Sequence, residues 1–277
     1  MTIRTNTATL PASKKKKSKK KSLPFTDWWA GLLLPVVLII IWETASRNGW
    51  VASHLLPAPT VVVEEMVTMG REGELWGHIG ITLYRVLAGF VIGTAAAAIL
   101  GVLTGSSKWM EKLLDPTLQA LRAIPSLAWV PLFILWIGIG EASKITLVAV
   151  GVFFPVYLNL TSGIQGVDRK LIEVGRMYGF STWKQVRKIV FPAAAPSFLT
   201  GIRSGLSLGW MFVVAAELLG TSQGLGYLMV FGQNTSSPEL VIGSILLFAV
   251  FGKATDEILK RIERKSLQWQ DRLDNSV

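Results

Sequence analysis

The sequence predicts an all-α, polytopic membrane protein with six transmembrane helices, and three observations support this fold class. Of its 277 residues, 51% are hydrophobic, and the mean hydropathy is +0.46. Several apolar runs approach ~20 residues, the length of helix that crosses a hydrocarbon layer of ~30 Å. Basic residues are concentrated in alternate connecting segments, as they are when helices pass back and forth across a bilayer.

Each predicted span is an apolar run bounded by polar segments. A basic stretch precedes the first run, as in a signal peptide, but five further spans follow and no small-residue cleavage site is evident, so we expect it to be retained. The second is rich in glycine and alanine. The short segment 140–144 joins the third to the fourth, a long polar segment precedes the fifth, and an amphipathic stretch, 255–262, extends the sixth. The predicted spans are residues 28–46, 79–103, 118–139, 145–160, 197–219 and 240–254.

The distribution of Lys and Arg predicts the orientation. Residues 47–78 carry only Arg47 and Arg71, residues 140–144 carry only Lys144, and residues 220–239 carry none. Excess Lys and Arg marks the cytoplasmic side. We therefore expect a multi-pass membrane protein with both termini in the cytoplasm. The basic residues of the opposite side, beyond an N-terminal lysine run, are Lys108, Lys112, Arg169, Lys170, Arg176, Lys184, Arg187, Lys188, Lys260, Arg261, Arg264 and Lys265.

The net charge of +10 comes largely from the N-terminus, where seven lysines lie between Lys14 and Lys21. This segment has too little apolar surface to fold, so residues 1–25 are predicted to form a disordered basic tail. Its expected role is a topology anchor that contacts anionic membrane lipid. Nucleic-acid binding is not expected, because no folded basic patch with interleaved aromatic residues is evident. Residues 26–265 then form the transmembrane domain, and residues 266–277 form a cytoplasmic C-terminal tail.

The residue types present exclude several kinds of chemistry. The chain has no cysteine and two histidines, His54 and His78, so no metal site is expected. It has no Gly-rich phosphate loop ending in Lys-Ser or Lys-Thr, so no nucleotide site of its own is expected. A membrane-embedded enzyme would need His, Asp or Glu clustered at one membrane face, and no such cluster is evident. We therefore assign no catalytic residue, and an ion-coupled secondary carrier remains as an alternative.

Residues 163–196, here called the coupling loop, leave the membrane between the fourth and fifth spans. Asp168 is predicted to cap a short helix that ends at Gly179. Ser181 is predicted to cap a second helix, which Pro192 ends. Apolar residues recur at helical spacing in both helices, so the pair could lie on the membrane surface or form a docking surface for a soluble partner. The two apolar stripes are Leu171, Val174 and Tyr178, then Trp183, Val186 and Val190.

The coupling loop carries a spaced motif that resembles the signature of ATP-binding cassette (ABC) importer permeases. Glu173, Gly179, Ile189 and Pro192 have the spacing of that signature. Three positions depart from it, because Val174 and Gly175 replace two alanines and Phe191 replaces a leucine. Six other segments resemble the aliphatic sulfonate, taurine and nitrate branch of these permeases, and the last two of them are most similar to the sulfonate and taurine members: residues 55–59, 73–78, 84–90, 124–131, 135–144 and 154–159.

The resemblance implies a type I ABC importer permease of a bacterial inner (plasma) membrane. It would move a small organic anion, most simply an aliphatic sulfonate, into the cytoplasm. Taurine, nitrate or bicarbonate are alternative substrates within the same class. It implies a homodimer of permeases, an extracytoplasmic substrate-binding protein and two cytoplasmic ATPase subunits. ATP and Mg would bind to the ATPase subunits, and no cofactor is expected in this chain. The residues expected to dock the ATPase are Asp168, Glu173, Arg176, Gly179, Ile189 and Pro192.

Ionisable residues inside predicted spans mark candidate pathway positions, since they are costly there. Arg203, Trp210 and Glu217 are seven residues apart and fall on one stripe of the fifth span, where an arginine would suit the oxygens of a sulfonate. Arg85 in the second span is a further candidate. Alternatively, Arg85, Arg203 and a third arginine, Arg122, are structural and satisfy helix-end carbonyls or extend to lipid headgroups.

Small residues in the second span leave a further alternative open. Gly89 and Gly93 are four residues apart, and so are Gly101 and Gly105. This spacing allows close helix contact, either within one subunit or between two.

Overall fold

The structure is a computed structural model that describes residues 26–125, 128–218 and 220–268, with side chains from residue 33 onward. Within these ranges the chain is helical with no strand, so the predicted all-α class is confirmed. The lysine run and residues 269–277 lie outside the described residues. The helices are α1 (Thr26–Arg47), α2 (Pro59–Glu72), α3 (Glu74–Ser106), α4 (Lys108–Arg122), α5 (Trp129–Ile137), α6 (Glu141–Gln165), α7 (Arg169–Met177), α8 (Thr182–Gln185), α9 (Phe191–Glu217), α10 (Leu225–Asn234) and α11 (Pro238–Ser266).

Four helical rods among the described residues are long and apolar enough to cross a membrane: α3, α6, the rod Thr182–Glu217 and α11. They contain the predicted second, fourth, fifth and sixth spans. Helix α1 covers the predicted first span, and its large apolar side chains between Leu33 and Ile41 are all exposed, as expected of a lipid-facing helix. It is tied to the segment before α2 by Trp42, whose Nε1 donates to the carbonyl of Pro57 at 3.0 Å.

Helix α6 is the centre of the bundle, with α3 packed on one side and α9 on the other. Val148, Val152 and Val156 of α6 are completely buried. The glycines of α3 face this helix, and a β-carbon added to Gly93 would lie 2.3 Å from the carbonyl oxygen of Ala149. The small residues of the second span therefore serve packing within the subunit. The same holds for Gly89, Gly101 and Gly105, which face Val148, Leu160 and Ile164.

The predicted third span is not one continuous helix. Helix α4 ends at Arg122, and α5 begins only at Trp129. Pro125 disfavours helical geometry at Ile124, the residue before it, and this is one physical reason for the break. Helix α4 is amphipathic, and no side chain of it is buried.

Pro192 does not end a helix, contrary to the sequence-based prediction. Helices α8 and α9 form one rod of 36 residues, joined by the π-helical segment Val186–Val190. In this segment the N–H of Phe191 donates to the carbonyl of Val186, five residues earlier. Pro192 follows directly after this π turn, as the second residue of α9. Single π turns of this kind occur mostly within longer helices.

Two helices, α2 and α10, lie in residues 47–78 and 220–239, where the sequence predicted loops. Helices α2 and α10 pack with α11 and the start of α3 in a second apolar cluster. The connectivity places this cluster at the end of the bundle opposite the coupling loop. Its buried members are Met69, Leu75, Ile79, Leu225, Leu228 and Leu240.

Candidate functional site

Helix α7 of the coupling loop has well-defined ends. The side chain of Asp168 accepts a hydrogen bond from the backbone N–H of Lys170 at 2.9 Å, so the predicted N-cap is confirmed. At the other end, Gly179 has a φ of +69°, which favours glycine. The N–H of Phe180 donates to the carbonyl of Gly175, a 6→1 bond that closes a Schellman motif. These local bonds give α7 a fixed length and exit direction.

The two halves of the sequence motif pack against each other. A β-carbon added to Gly175 would lie 2.5 Å from Cδ1 of Ile189 in the π-helical segment. The buried side chain of Gln185 donates to the carbonyl of Phe180 at 3.2 Å, and Nζ of Lys184 lies 4.3 Å from the Phe180 ring centroid. The coupling loop is therefore a preformed unit attached to α9, and Gly175, where the family has alanine, allows a closer contact.

The outer surface of this unit combines exposed apolar and charged groups. Met177 is 86% exposed and Trp183 is 72% exposed, although both are large and apolar. Asp168, Glu173 and Arg176 are exposed beside them. Such a surface is typical of a protein contact, because isolated soluble surfaces seldom group large apolar side chains in this way. The other exposed apolar members are Leu171, Val174 and Tyr178, the stripe predicted for α7.

A polar cleft of about 400 Å³ separates α7 from the corner between α3 and α4. Lys108 lines one wall, and Arg169, Glu173 and Arg176 line the other. The cleft places two of the predicted docking residues, Glu173 and Arg176, on one surface. Ile189 and Pro192, by contrast, belong to the rod, and Ile189 packs against Gly175 of α7.

Arg85 and Glu217, both predicted as pathway residues, form a buried ion pair. Each is 1% exposed, and Nη1 of Arg85 lies 2.6 Å from Oε1 of Glu217. The guanidinium also donates two hydrogen bonds of 2.7 Å to Glu141 and one of 2.8 Å to the carbonyl of Gln223. Thr82 donates to Glu217 at 2.8 Å. The cluster ties α3, α6 and α9 together at the end opposite the coupling loop.

The same cluster holds the segment between α9 and α10 in place. The N–H of Gly226 donates to Glu217 at 2.9 Å, and the N–H of Gly224 donates to Nδ1 of His78 at 3.0 Å. A β-carbon on Gly224 would lie 2.6 Å from the Glu217 carboxylate. Of these partners, the sequence singled out only Arg85 and Glu217 as candidates, because none of the others is an ionisable residue inside a predicted span. These hydrogen bonds fix the segment between α9 and α10 against α3.

Arg203 and Trp210, the other predicted pathway residues, face α11. The guanidinium of Arg203 contacts Asp256 at 3.1 Å and Glu263 at 3.1 Å. Trp210 is 8% exposed, and its Nε1 donates to Oγ1 of Thr255 at 2.9 Å. Both side chains therefore have polar partners that join α9 to α11 in this conformation.

A cavity of about 460 Å³ lies where the third span is broken. Arg122, Ile124 and Pro125 line it from the break, and side chains of α6 and α9 complete the wall. Arg122 is not among the pathway residues predicted from the sequence. The signal that could have found it is the Ile-Pro pair next to an arginine inside an apolar run. The apolar residues of the wall include Trp129, Phe154, Leu158, Leu208, Met211 and Phe212.

Comparisons with known proteins agree on one family. The family described as "Binding-protein-dependent transport system inner membrane component" matches residues 89–268. The chain is 44% identical over 260 residues to the "Putative aliphatic sulfonates transport permease protein SsuC" of Bacillus subtilis (strain 168), which covers 94% of this chain and 93% of that protein. It is 40% identical over 251 residues to the protein of the same name from Escherichia coli (strain K12), covering 91% and 94%. The taurine transport system permease protein TauC of Escherichia coli is 30% identical over 238 residues, covering 84% and 86%.

Solved structures support the fold. The methionine ABC transporter MetNI matches with a TM-score of 0.57 at 21% identity, covering 69% of this chain and 94% of that one. An amino acid ABC transporter matches with a TM-score of 0.59 at 18% identity, covering 72% and 98%. The fold is that of type I ABC importer permeases, which have no nucleotide site of their own because the ATPase is a separate subunit. The chain belongs to the family of binding-protein-dependent transport system inner membrane components and is a multi-pass permease subunit of an ABC importer.

Proposed function

We propose that the chain forms a homodimeric permease that carries an aliphatic sulfonate into the cytoplasm, with ATP hydrolysis in two partner subunits as the energy source. An extracytoplasmic binding protein delivers the substrate, and both termini face the cytoplasm. The observation that supports this proposal most directly is the preformed coupling loop, whose exposed face includes Glu173 and Met177. The names of the relatives at 44% and 40% identity support the choice of sulfonate.

The coupling loop has a mechanical link to the membrane domain. The rod Thr182–Glu217 is 36 residues long, or about 54 Å at 1.5 Å per residue. It begins beside the docking residues and ends at the buried pair of Glu217 and Arg85. When the ATPase subunits close on ATP, they move α7 and α8, and the rod transmits this motion. The transport equilibrium shifts only because the ATPase binds ATP with different affinity in the two states.

Reconstitution tests this proposal. The permease, its ATPase and its binding protein are placed in proteoliposomes, and uptake of ethanesulfonate, taurine, nitrate and bicarbonate is measured with and without ATP. We expect ATP-dependent accumulation of the sulfonate above the other anions. Preference for another anion would change the substrate but keep the importer class. Uptake by the permease alone, driven by an ion gradient, would favour the secondary-carrier alternative.

A further inference from the structure

Three arginines lie inside the predicted spans, and they differ in their partners. Arg85 and Arg203 each contact two carboxylates. Arg122 is exposed, and its side-chain hydrogen bond among the described residues goes to Oε1 of Gln119, at 3.3 Å on the same helix. Within the described ranges no carboxylate lies within ion-pair distance of it. Arg122 therefore keeps a positive charge and several hydrogen-bond donors available for an anion.

The position of Arg122 is unusual for a surface arginine. The cavity that it lines is bounded by Val150 to Leu158, in the middle of α6, and by Leu208 to Phe212 of α9. The cavity therefore lies near mid-depth in the bundle. Non-helical backbone at this depth is tolerated where it is buried in protein or lines a water-filled cavity. The non-helical residues Ala123 to Pro125 line this cavity together with Arg122, so the charge and this part of the backbone face the same space.

The remaining wall of the cavity is mostly apolar. Its volume of about 460 Å³ falls within the range of small-molecule sites. A single guanidinium beside apolar and aromatic side chains matches a ligand with one anionic head and a hydrocarbon tail. The planar guanidinium suits the oxygens of a sulfonate by paired hydrogen bonds. Nitrate and bicarbonate have no tail that would use the apolar wall.

We propose that this cavity binds an alkanesulfonate during transport, with the sulfonate on Arg122 and the alkyl tail against Trp129, Phe154 and Met211. This inference rests on the proposed function and adds a site to it. It shifts the expected anion contact from Arg203, which is engaged with Asp256 and Glu263.

The head-group contact is tested with Arg122→Gln, Arg122→Lys and the control Lys112→Gln. Lys112 is an exposed cation on the same helix and does not line the cavity. In proteoliposomes with the ATPase and binding protein, the readout is ethanesulfonate transported per ATP hydrolysed. We expect Arg122→Gln to lower this ratio about tenfold or more, as loss of a charge-assisted hydrogen bond would. Arg122→Lys should recover part of it, and Lys112→Gln should match the unmodified protein. A purely structural arginine would lower the yield of assembled complex instead.

The tail contact is tested with Met211→Trp and the control Val91→Trp. Met211 lines the cavity, whereas Val91 is 62% exposed on α3 and does not line it. Filling the cavity should lower transport of octanesulfonate about tenfold relative to methanesulfonate, because the larger side chain occupies the space that a long alkyl tail needs. The control should keep the chain-length preference of the unmodified protein.

The outcomes separate this inference from the function on which it rests. If the unmodified complex transports no sulfonate, the proposed function fails and the inference fails with it. If it transports sulfonates, an unchanged ratio in Arg122→Gln or an unchanged chain-length preference in Met211→Trp overturns the inference alone.

Discussion

Glu173 is the residue on which the docking assignment depends most. It is exposed and lines the cleft beside α7 together with Arg169 and Arg176. We expect Glu173→Lys to abolish ATP-dependent transport, because a reversed charge would oppose a partner surface selected for a carboxylate. Insertion should persist, because the side chain has no packing role. Transport and membrane yield are measured together, with the exposed Glu64→Lys of α2 as the control. Near-normal transport in Glu173→Lys would remove this residue from the docking surface.

Glu217 differs from Glu173 because it is buried in an ion pair, so we expect its substitution to act mainly on stability. It is 1% exposed and is paired with Arg85 at 2.6 Å. Removing one partner of a buried ion pair leaves an uncompensated charge, which costs roughly 3–5 kcal/mol. We therefore expect Glu217→Ala to lower the thermal midpoint and yield of the detergent-solubilised complex. The exposed Glu74→Ala at the same end of α3 should have little effect. A normal midpoint combined with lost transport would instead assign Glu217 to the pathway.

At the scale of single elements, the sequence predicted the positions of most apolar spans well. It predicted poorly where a helix is interrupted and where it continues. The apolar runs found the second, fourth, fifth and sixth spans, because hydropathy reports which residues avoid water. It does not report where hydrogen bonding along the helix stops, so the break between Arg122 and Trp129 was missed. The rule that proline ends a helix also failed at Pro192, where a π turn and the packing of α9 on α6 keep the rod continuous.

In the candidate site, features set by neighbouring residues could be predicted from the sequence, and contacts between distant residues could not. The ends of α7 were predictable, because Asp168 and Gly179 act on their own neighbours. The partners of Arg85 were not, because Glu217 lies 132 residues away and is brought near only by helix packing. The sequence also could not predict that the apolar stripe of α7 is exposed in this chain. An amphipathic period predicts an apolar face but not what covers it.

The contact between α3 and α6 gives a test at the element scale. Gly93 has no room for a side chain, since a β-carbon would meet the backbone oxygen of Ala149 at 2.3 Å. A backbone atom cannot move aside as a side chain would, so we expect Gly93→Leu to separate the helices and cost at least ~1–3 kcal/mol. Gly80→Leu on the same helix should be tolerated, because nothing lies within 4 Å of its added β-carbon. Thermal denaturation of both variants in detergent measures the difference. Equal stability would mean that α3 and α6 do not pack this closely.

At the scale of the whole molecule, the two ends of the bundle have different construction. The coupling-loop end presents charged and apolar side chains outward, including Met177 and Trp183. The opposite end is closed by α2, α10 and the buried cluster around Arg85. Helices α6 and α9 connect the two ends through one packed core. A displacement of the coupling loop would therefore be transmitted to the opposite end through α6 and α9. We expect the cavity lined by Arg122, α6 and α9 to change its accessibility to the two sides of the membrane.

The orientation of this asymmetric bundle is the last prediction. The excess of Lys and Arg around the coupling loop predicts that it faces the cytoplasm. Because the chain lacks cysteine, introduced cysteines report their own position. Ser181 and Asn234 are exposed at opposite ends of the bundle. In intact cells, we expect an impermeant thiol reagent to label Asn234→Cys and not Ser181→Cys. Inside-out vesicles from cells without the ATPase should reverse this result, which excludes shielding of Ser181 by the partner. Labelling of Ser181→Cys in intact cells would invert the topology and remove the coupling loop from the side where ATP is available.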